Sequence, residues 1–163
     1  MNLDQAIGAN GIDGTVATGV GFARGFAAPT TILLGDLALL HDLNSLALMR
    51  DSRQPVVVLV FNNHGGGIFH FLPIAEVETY FERYFGTPHD YTFKAAAEMF
   101  SLPYARPESA TEFESAFADL TAAGKSGLIE VRSDRRANAE QHHQLWREVA
   151  ERVRAELAGL WGE

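Results

Sequence analysis

The 163 residues are 47% apolar and 21% charged, enough to bury one sizeable core, so a single domain over residues 1–163 is expected. Acidic residues outnumber basic ones 21 to 13, a net charge of -8, and the basic residues are scattered, which argues against nucleic acid as a partner. No apolar run approaches the roughly 20 residues of a membrane span, the polar opening Met1-Asn2-Leu3-Asp4-Gln5 is unlike a secretion signal, and a cytoplasmic protein is expected. The absence of Cys excludes disulfides, thiolate zinc sites, iron-sulfur clusters and Cys nucleophiles, leaving oxygen or His to bind any metal.

Along the chain, Asp13 to about Ala27 reads as a helix carrying Val16, Val20, Phe22 and Phe26 among four glycines. Each interior glycine costs about 1 kcal/mol against Ala, so their number suggests a backbone that something approaches closely. Thr30 to Leu34 is a short buried strand between Pro29 and the turn Gly35-Asp36. Leu37 to about Arg50 has helical apolar spacing and ends before Pro55. Val56 to Phe61 is a second apolar strand, stopped by Asn62-Asn63-His64-Gly65-Gly66-Gly67. This strand-helix-strand unit predicts an α/β fold, a parallel sheet with helices on both faces. Further on, Glu76 to Phe85 and Thr92 to Phe100 read as helices, Leu102 to Ala105 as a strand, Thr111 to Ala123 as helix, Gly127 to Val131 as strand and Ala139 to Leu160 as a charged amphipathic helix.

Ligands of open α/β sheets bind at the carboxyl ends of the strands, so the Gly35-Asp36 turn and the Asn62 to Gly67 loop should lie side by side. Asp36, the Asn63 amide oxygen and the Gly65 carbonyl would make half of an octahedral oxygen shell. Mg²⁺ prefers six oxygens and is commonly held by one or two carboxylates with phosphates and water. A diphosphate would complete the shell, and a second carboxylate would repel it. Gly11, Gly14, Gly35, Gly65 and Gly66 would let the backbone reach the phosphates.

Gly35-Asp36 followed by Asn62-Asn63 resembles the signature of thiamine-diphosphate enzymes. Gly8-Ala9-Asn10-Gly11-Ile12-Asp13-Gly14, Gly35-Asp36-Leu37, Asp42-Leu43-Asn44 and Asn62-Asn63-His64-Gly65-Gly66-Gly67-Ile68-Phe69 narrow this to a resemblance to the C-terminal domain of the 2-succinyl-5-enolpyruvyl-6-hydroxy-3-cyclohexene-1-carboxylate synthases, the MenD family. The resemblance implies the diphosphate-binding domain of a longer, cytoplasmic transferase of menaquinone biosynthesis, one that decarboxylates 2-oxoglutarate and adds the product to isochorismate. It implies thiamine diphosphate with Mg²⁺ or Mn²⁺ as cofactors, the metal held by Asp36, Asn63 and Gly65. Gly11, Ile12, Gly35, Leu37, Gly66 and Ile68 would join these in binding the cofactor, Ile12 as the apolar wedge that bends it, while Phe69 and Leu72 would line the substrate space. It also implies a pyrimidine-binding domain as partner, its activating Glu reaching the cofactor across a homodimer interface, in a dimer or tetramer. These residues would supply anchorage without that Glu, so no catalytic residue is expected among them and they should be inactive alone. Family members commonly carry Arg where this sequence has Ile7.

Two alternatives stay open, another thiamine-diphosphate decarboxylase or acetolactate-type domain, and a non-catalytic cofactor-binding module. Leu37 and Asn44 argue against the first, whose members usually have Gly or Ser after the Asp. The six His residues include no i, i+4 pair with a nearby carboxylate, so surface or core histidines are expected rather than zinc ligands, and His64 and His70 flank the glycine loop. Gly124-Lys125-Ser126 lacks the spacing of a phosphate-binding loop and reads as a turn. Arg132, Arg135 and Arg136 read as a solvated turn, with an anionic substrate as the rarer use, and Phe22, Phe26, Phe61 and Phe100 as core.

Overall fold

Four strands, β1 (Thr30–Gly35), β2 (Val56–Asn62), β3 (Tyr104–Ala105) and β4 (Gly127–Arg132), pair in the order β1-β2-β4-β3, all parallel, in the computed structural model, which describes residues 11–161. The chain divides into two compact units, one of residues 11–65 and His89–Ser133, the other of Gly66–Pro88 and residues 134–161. The first holds the sheet.

β2 is central, buried on both faces from Val56 to Val60, which is why it reads as an unbroken apolar run rather than an alternating one. On one face Ile32, Leu34, Val58, Val60 and Leu128 pack with Val16 and Val20 of α1 (Thr15–Phe26), Leu39 of α2 (Asp36–His41), Leu46 and Met49 of α3 (Leu46–Arg50) and Ala97 of α5 (Lys94–Met99). On the other, Val57, Leu59 and Ile129 are covered by Phe113, Ala116, Phe117 and Leu120 of α6 (Ala110–Ala122). Helices therefore lie on both faces of a parallel sheet, as the sequence pattern predicts. One glycine of α1 has a packing reason: a Cβ on Gly19 would fall 2.3 Å from Cδ1 of Ile32, so the helix sits closer to β1 than any side chain at that position would allow.

The continuous helix expected over Leu37 to Arg50 is interrupted. α2 ends at His41, a 3₁₀ turn covers Leu43–Ser45, and α3 follows. The cause is Asp42, buried between them. Its carboxylate accepts the Val16 and Ala17 amides (2.7 and 3.1 Å) at the N-terminus of α1 and takes the Ser45 hydroxyl as well. A tertiary cap for α1 therefore costs the α2–α3 segment its continuity, since helix N-termini carry amides that need partners. Two expected core residues are also misplaced: Phe26 is 69% and Phe61 42% exposed. Phe61 shares the β2 face of Val57 and Leu59 but pairs with Val131 of β4 on one side and only with the side-chain-free Gly35 of β1 on the other. Phe22 is half-buried with its ring 4.3 Å from Phe26, and Phe100 packs against the core.

In the second unit the helix expected over Glu76 to Phe85 is a succession of short turns: 3₁₀ at Gly67–Phe71 and Pro73–Glu76, α4 (Glu78–Phe81), and a π turn at Glu82–Gly86 closed by Thr87 N–H on the Glu82 carbonyl (2.8 Å). α7 (Arg135–Trp161) begins four residues earlier than its apolar pattern suggests, because the Asp134 carboxylate caps the amides of Arg136 and Ala137 (2.9 and 2.8 Å). Glu82 receives both Arg135 and Arg136, the second at 2.7 Å. Both lie in a helix rather than a turn, and the solvated surroundings expected there are corrected for Arg135, while Arg136 stays 68% exposed. Arg135 is nearly buried, against a Gly86 that has no side chain to obstruct it. The hydrogen bonds from Arg136 and Arg135 hold the Glu82 carboxyl below its ordinary value of 4.5.

Two outcomes are expected. Asp42→Ala should lower stability by roughly 2–3 kcal/mol, measured by urea denaturation, because a buried amide, a part-buried amide and a hydroxyl lose their acceptor; a change below about 0.5 kcal/mol would refute the cap. A carboxyl with a depressed folded pKa contributes stability above its unfolded value and loses it as pH falls through the folded one. The stability gap between the wild type and Glu82→Gln should therefore be full above about pH 5 and shrink as pH falls below the ordinary glutamate range; a gap that grows on acidification would contradict the assignment.

Candidate cofactor site

The register of β1 on β2 pairs Gly35 with Phe61, so Asp36 and Asn62-Asn63 leave the sheet at adjacent strand ends. Asp36 is the first residue of α2 and is 2% exposed. Its Oδ1 accepts the Leu37 amide (2.7 Å) and its Oδ2 accepts the Gly65 amide (3.0 Å), which ties the two loops together. His89 Nε2 stands 3.2 Å from the same Oδ2, but off the direction a hydrogen bond requires. Asn63 Oδ1 is buried and has no hydrogen-bond partner among the described residues, and His89 Nε2 shares that condition.

The chain turns sharply through the loop, with His64 at φ 63° and Gly65 at φ 141°. The His64 ring bonds through Nδ1 to the His89 carbonyl (3.0 Å). The next glycine has its own reason, since a Cβ on Gly66 would fall 2.3 Å from the Phe85 carbonyl oxygen, and its amide is taken by the Gly86 carbonyl at 2.8 Å. Gly66 therefore serves packing within the second unit whether or not it meets a phosphate.

Of the sequence-predicted residues, the fold brings Asp36, Leu37, Asn63 and Gly65 together in the first unit. Gly11 and Ile12 precede α1 in an exposed segment, Ile12 45% exposed. Gly35 ends β1 and is exposed. Ile68, Phe69 and Leu72 belong to the second unit, where Ile68 and Leu72 expose 73% and 48% of their surface and Phe69 packs edge-on against Phe85. His70 is also there. Burial and the Arg135 charge lower its pKa, so it is mostly neutral at pH 7. Ile7 lies outside the described residues, as do Gly8, Ala9 and Asn10.

Sequence reasoning assigned no role to His89, Asn62 or Glu130, which border this site. Asn62 is fully buried, donating to Glu130 Oε1 (2.8 Å) and to the Tyr91 carbonyl (2.9 Å), while its Oδ1 accepts the His64 amide (3.1 Å). A signal was available for Glu130: it is an ionisable residue inside the apolar strand Gly127 to Val131. Arg132, read as a solvated turn, lies with its Nε 3.8 Å from Glu130 Oε1.

The donor set fits a hard cation with a phosphorylated ligand: one carboxylate, one unpartnered amide oxygen, and a loop in backbone conformations that glycine favours. Among the described residues no three His, Asp or Glu side chains gather as a metal set, so such a cation would depend on amide and carbonyl oxygens beside Asp36.

The chain belongs to the family described as thiamine pyrophosphate enzyme, C-terminal TPP binding domain, whose model matches residues 1–131. Solved structures agree in fold: benzoylformate decarboxylase from Polynucleobacter necessarius superposes with a TM-score of 0.61 at 18% identity, over 74% of this chain and 23% of that one. A Rhodococcus jostii thiamine diphosphate-dependent 4-hydroxybenzoylformate decarboxylase gives 0.57 at 24% identity, over 65% and 20% of the two chains. Relatives within the family include synthases of one name. The chain is 58% identical over 143 residues to 2-succinyl-5-enolpyruvyl-6-hydroxy-3-cyclohexene-1-carboxylate synthase of Rubrobacter xylanophilus, covering 88% of this chain and 25% of that protein. It is 55% identical over 138 residues to the synthase of Salinibacter ruber, covering 85% and 23%. The chain thus spans about a quarter of the length of the curated relatives it matches.

Because Asn63 Oδ1 is buried without a partner, the nearly isosteric Asn63→Leu should leave stability in EDTA unchanged or raise it by about 1 kcal/mol while removing cation binding. Urea denaturation checks this, and a loss above about 1 kcal/mol would mean that Asn63 holds the fold rather than a ligand.

Proposed function

We propose that these residues form the diphosphate- and metal-binding part of a synthase that decarboxylates 2-oxoglutarate and adds the product to isochorismate in menaquinone biosynthesis. The observation that carries the site is the buried, unpartnered Asn63 Oδ1 on a loop tied to the Asp36 carboxylate. The choice of reaction rests on the identities of 58% and 55% to synthases of that name, against 18% and 24% to the decarboxylases, a likeness that supports fold alone. The same identities, with Leu37 and Asn44, disfavour the acetolactate-type and non-catalytic alternatives.

In this reading Asp36, Asn63 and the Gly65 carbonyl hold Mg²⁺ or Mn²⁺, which in turn binds the diphosphate of thiamine diphosphate. When bound, that cofactor supplies the chemistry that breaks and makes bonds at a carbonyl carbon. Asp36 neutralises part of the metal charge without a second carboxylate to repel the phosphates, and Gly11 and Gly35 keep the backbone free of side chains where the phosphates would approach, whereas the Cβ direction and amide of Gly66 are taken by Phe85 and Gly86. The resemblance would assign Ile12 and Ile68 to the cofactor rings and Phe69 and Leu72 to substrate; Ile12, Ile68 and Leu72 are exposed, each within its own unit. No catalytic residue is assigned among them. The activating Glu is expected on a pyrimidine-binding domain of a partner subunit, in a homodimer or larger assembly. The location proposed is cytoplasmic; among the described residues no helix is long and apolar enough to cross a membrane.

Calorimetry tests this directly. Thiamine diphosphate should bind in excess Mg²⁺ and at least about tenfold more weakly in EDTA, and Asp36→Ala should abolish the difference while keeping the circular-dichroism spectrum of the wild type. Equal affinity in Mg²⁺ and EDTA would sink the reading.

A further inference from the structure

Glu130 is 0% exposed, in the middle of a strand whose neighbours Leu128 and Ile129 are core. A carboxylate there is costly, and an apolar residue of similar volume would serve a core at least as well. The site is built to keep it. Oε2 accepts the Phe93 amide (2.9 Å) and the Tyr104 hydroxyl (2.7 Å), and Oε1 accepts the Asn62 side-chain amide (2.8 Å). Burial, and next the bond to Glu130, push the Tyr104 hydroxyl well above the usual tyrosine range, so it stays a donor.

The consequence falls on Asn62. Glu130 and the Tyr91 carbonyl take both of its amide hydrogens, which fixes its orientation and turns Oδ1 onto the His64 amide at 3.1 Å. Its main-chain carbonyl accepts the Ser133 amide at 3.0 Å, extending the β2–β4 pairing to the last residue before the loop. The loop is thus clamped on both sides of Asn63. Asn62 is bound through side chain and backbone, and His64 is held at φ 63° through its amide and its ring. Between these anchors stands Asn63, with a buried oxygen that finds no hydrogen-bond partner among the described residues. We infer that Glu130 and Asn62 are positioning residues, a buried carboxylate-amide pair that presents Asn63 Oδ1 and Gly65 to the cation beside Asp36. Partners one step behind metal ligands typically change metal affinity 10- to 100-fold when removed.

The inference rests on the cofactor reading above, and the experiment separates the two. Thiamine diphosphate is titrated calorimetrically into the full chain in excess Mg²⁺ and in EDTA, for the wild type, Asp36→Ala, Glu130→Gln, Asn62→Ser and Leu128→Ala. Glu130→Gln keeps the volume but turns one acceptor into a donor that must face another donor, and Asn62→Ser removes the amide itself. Both are expected to weaken binding in Mg²⁺ by about 10- to 100-fold with the EDTA value unchanged. Leu128→Ala, a core truncation on the same strand, should lower Tm yet leave the Mg²⁺ value within about twofold. If Glu130→Gln fails to fold by circular dichroism, Asn62→Ser carries the test. Wild-type affinity in the folded variants, or an equal loss in Leu128→Ala, would overturn the inference while leaving the cofactor site intact. A wild type with no Mg²⁺ dependence would overturn both.

Discussion

The in-register parallel pairing of β1 with β2, Thr30 on Val56 through Gly35 on Phe61, is the constraint on which the site depends. Parallel strands present the same ends on the same edge of the sheet, so two loops distant in sequence emerge side by side. Side chains repeat every two residues along a strand, so a slip of one residue would exchange the two packed sets of β2 between the faces of the sheet and carry Asn63 away from Asp36. Burial on both faces of β2 makes that slip expensive. The apolar core therefore sets the geometry of a polar site that contributes little to the core itself.

The polar groups behind the site follow from the same logic. An amide or carboxylate withdrawn from water has to find partners inside the protein. Asp42 finds them at the start of α1, where the unsatisfied amides of a helix N-terminus need an acceptor, and the α2–α3 segment breaks to allow it. Glu130 finds them in Asn62, Phe93 and Tyr104, and so links strand, loop and helix start. Each buried acid joins segments that hydrophobic packing alone would leave free to shift. Against this background of satisfied groups the two orphans, Asn63 Oδ1 and His89 Nε2, stand out, and both belong to the Asp36 neighbourhood.

The second unit is held differently. Its helical turns between Gly67 and Gly86 are short and of mixed type, and its most specific bonds run from Glu82 to Arg135 and Arg136. Aromatic contacts support it: Phe71 stands 5.3 Å from Trp146, and Phe81 is stacked on Phe85. Such a unit depends more on charge and less on aliphatic burial than the sheet does, which makes its stability sensitive to pH.

By itself the sequence determined the parallel α/β class, the positions of three strands to within a residue and of the short Tyr104–Ala105 strand to within two, and the candidacy of Asp36, Asn63 and Gly65. These were legible because strand ends, apolar runs and turn residues are local, and because Gly35-Asp36 followed by Asn62-Asn63 resembles the thiamine-diphosphate signature. The interruption at Asp42, the exposure of Phe26 and Phe61, the engagement of Arg135 and Arg136 by Glu82, and the clamp of Glu130 on Asn62 were decided only by the tertiary structure. Each depends on a partner distant in sequence, 26 residues from Val16 to Asp42 and 68 from Asn62 to Glu130. Periodicity carries no trace of such a pairing, because it reports which side a residue faces and not what it meets there.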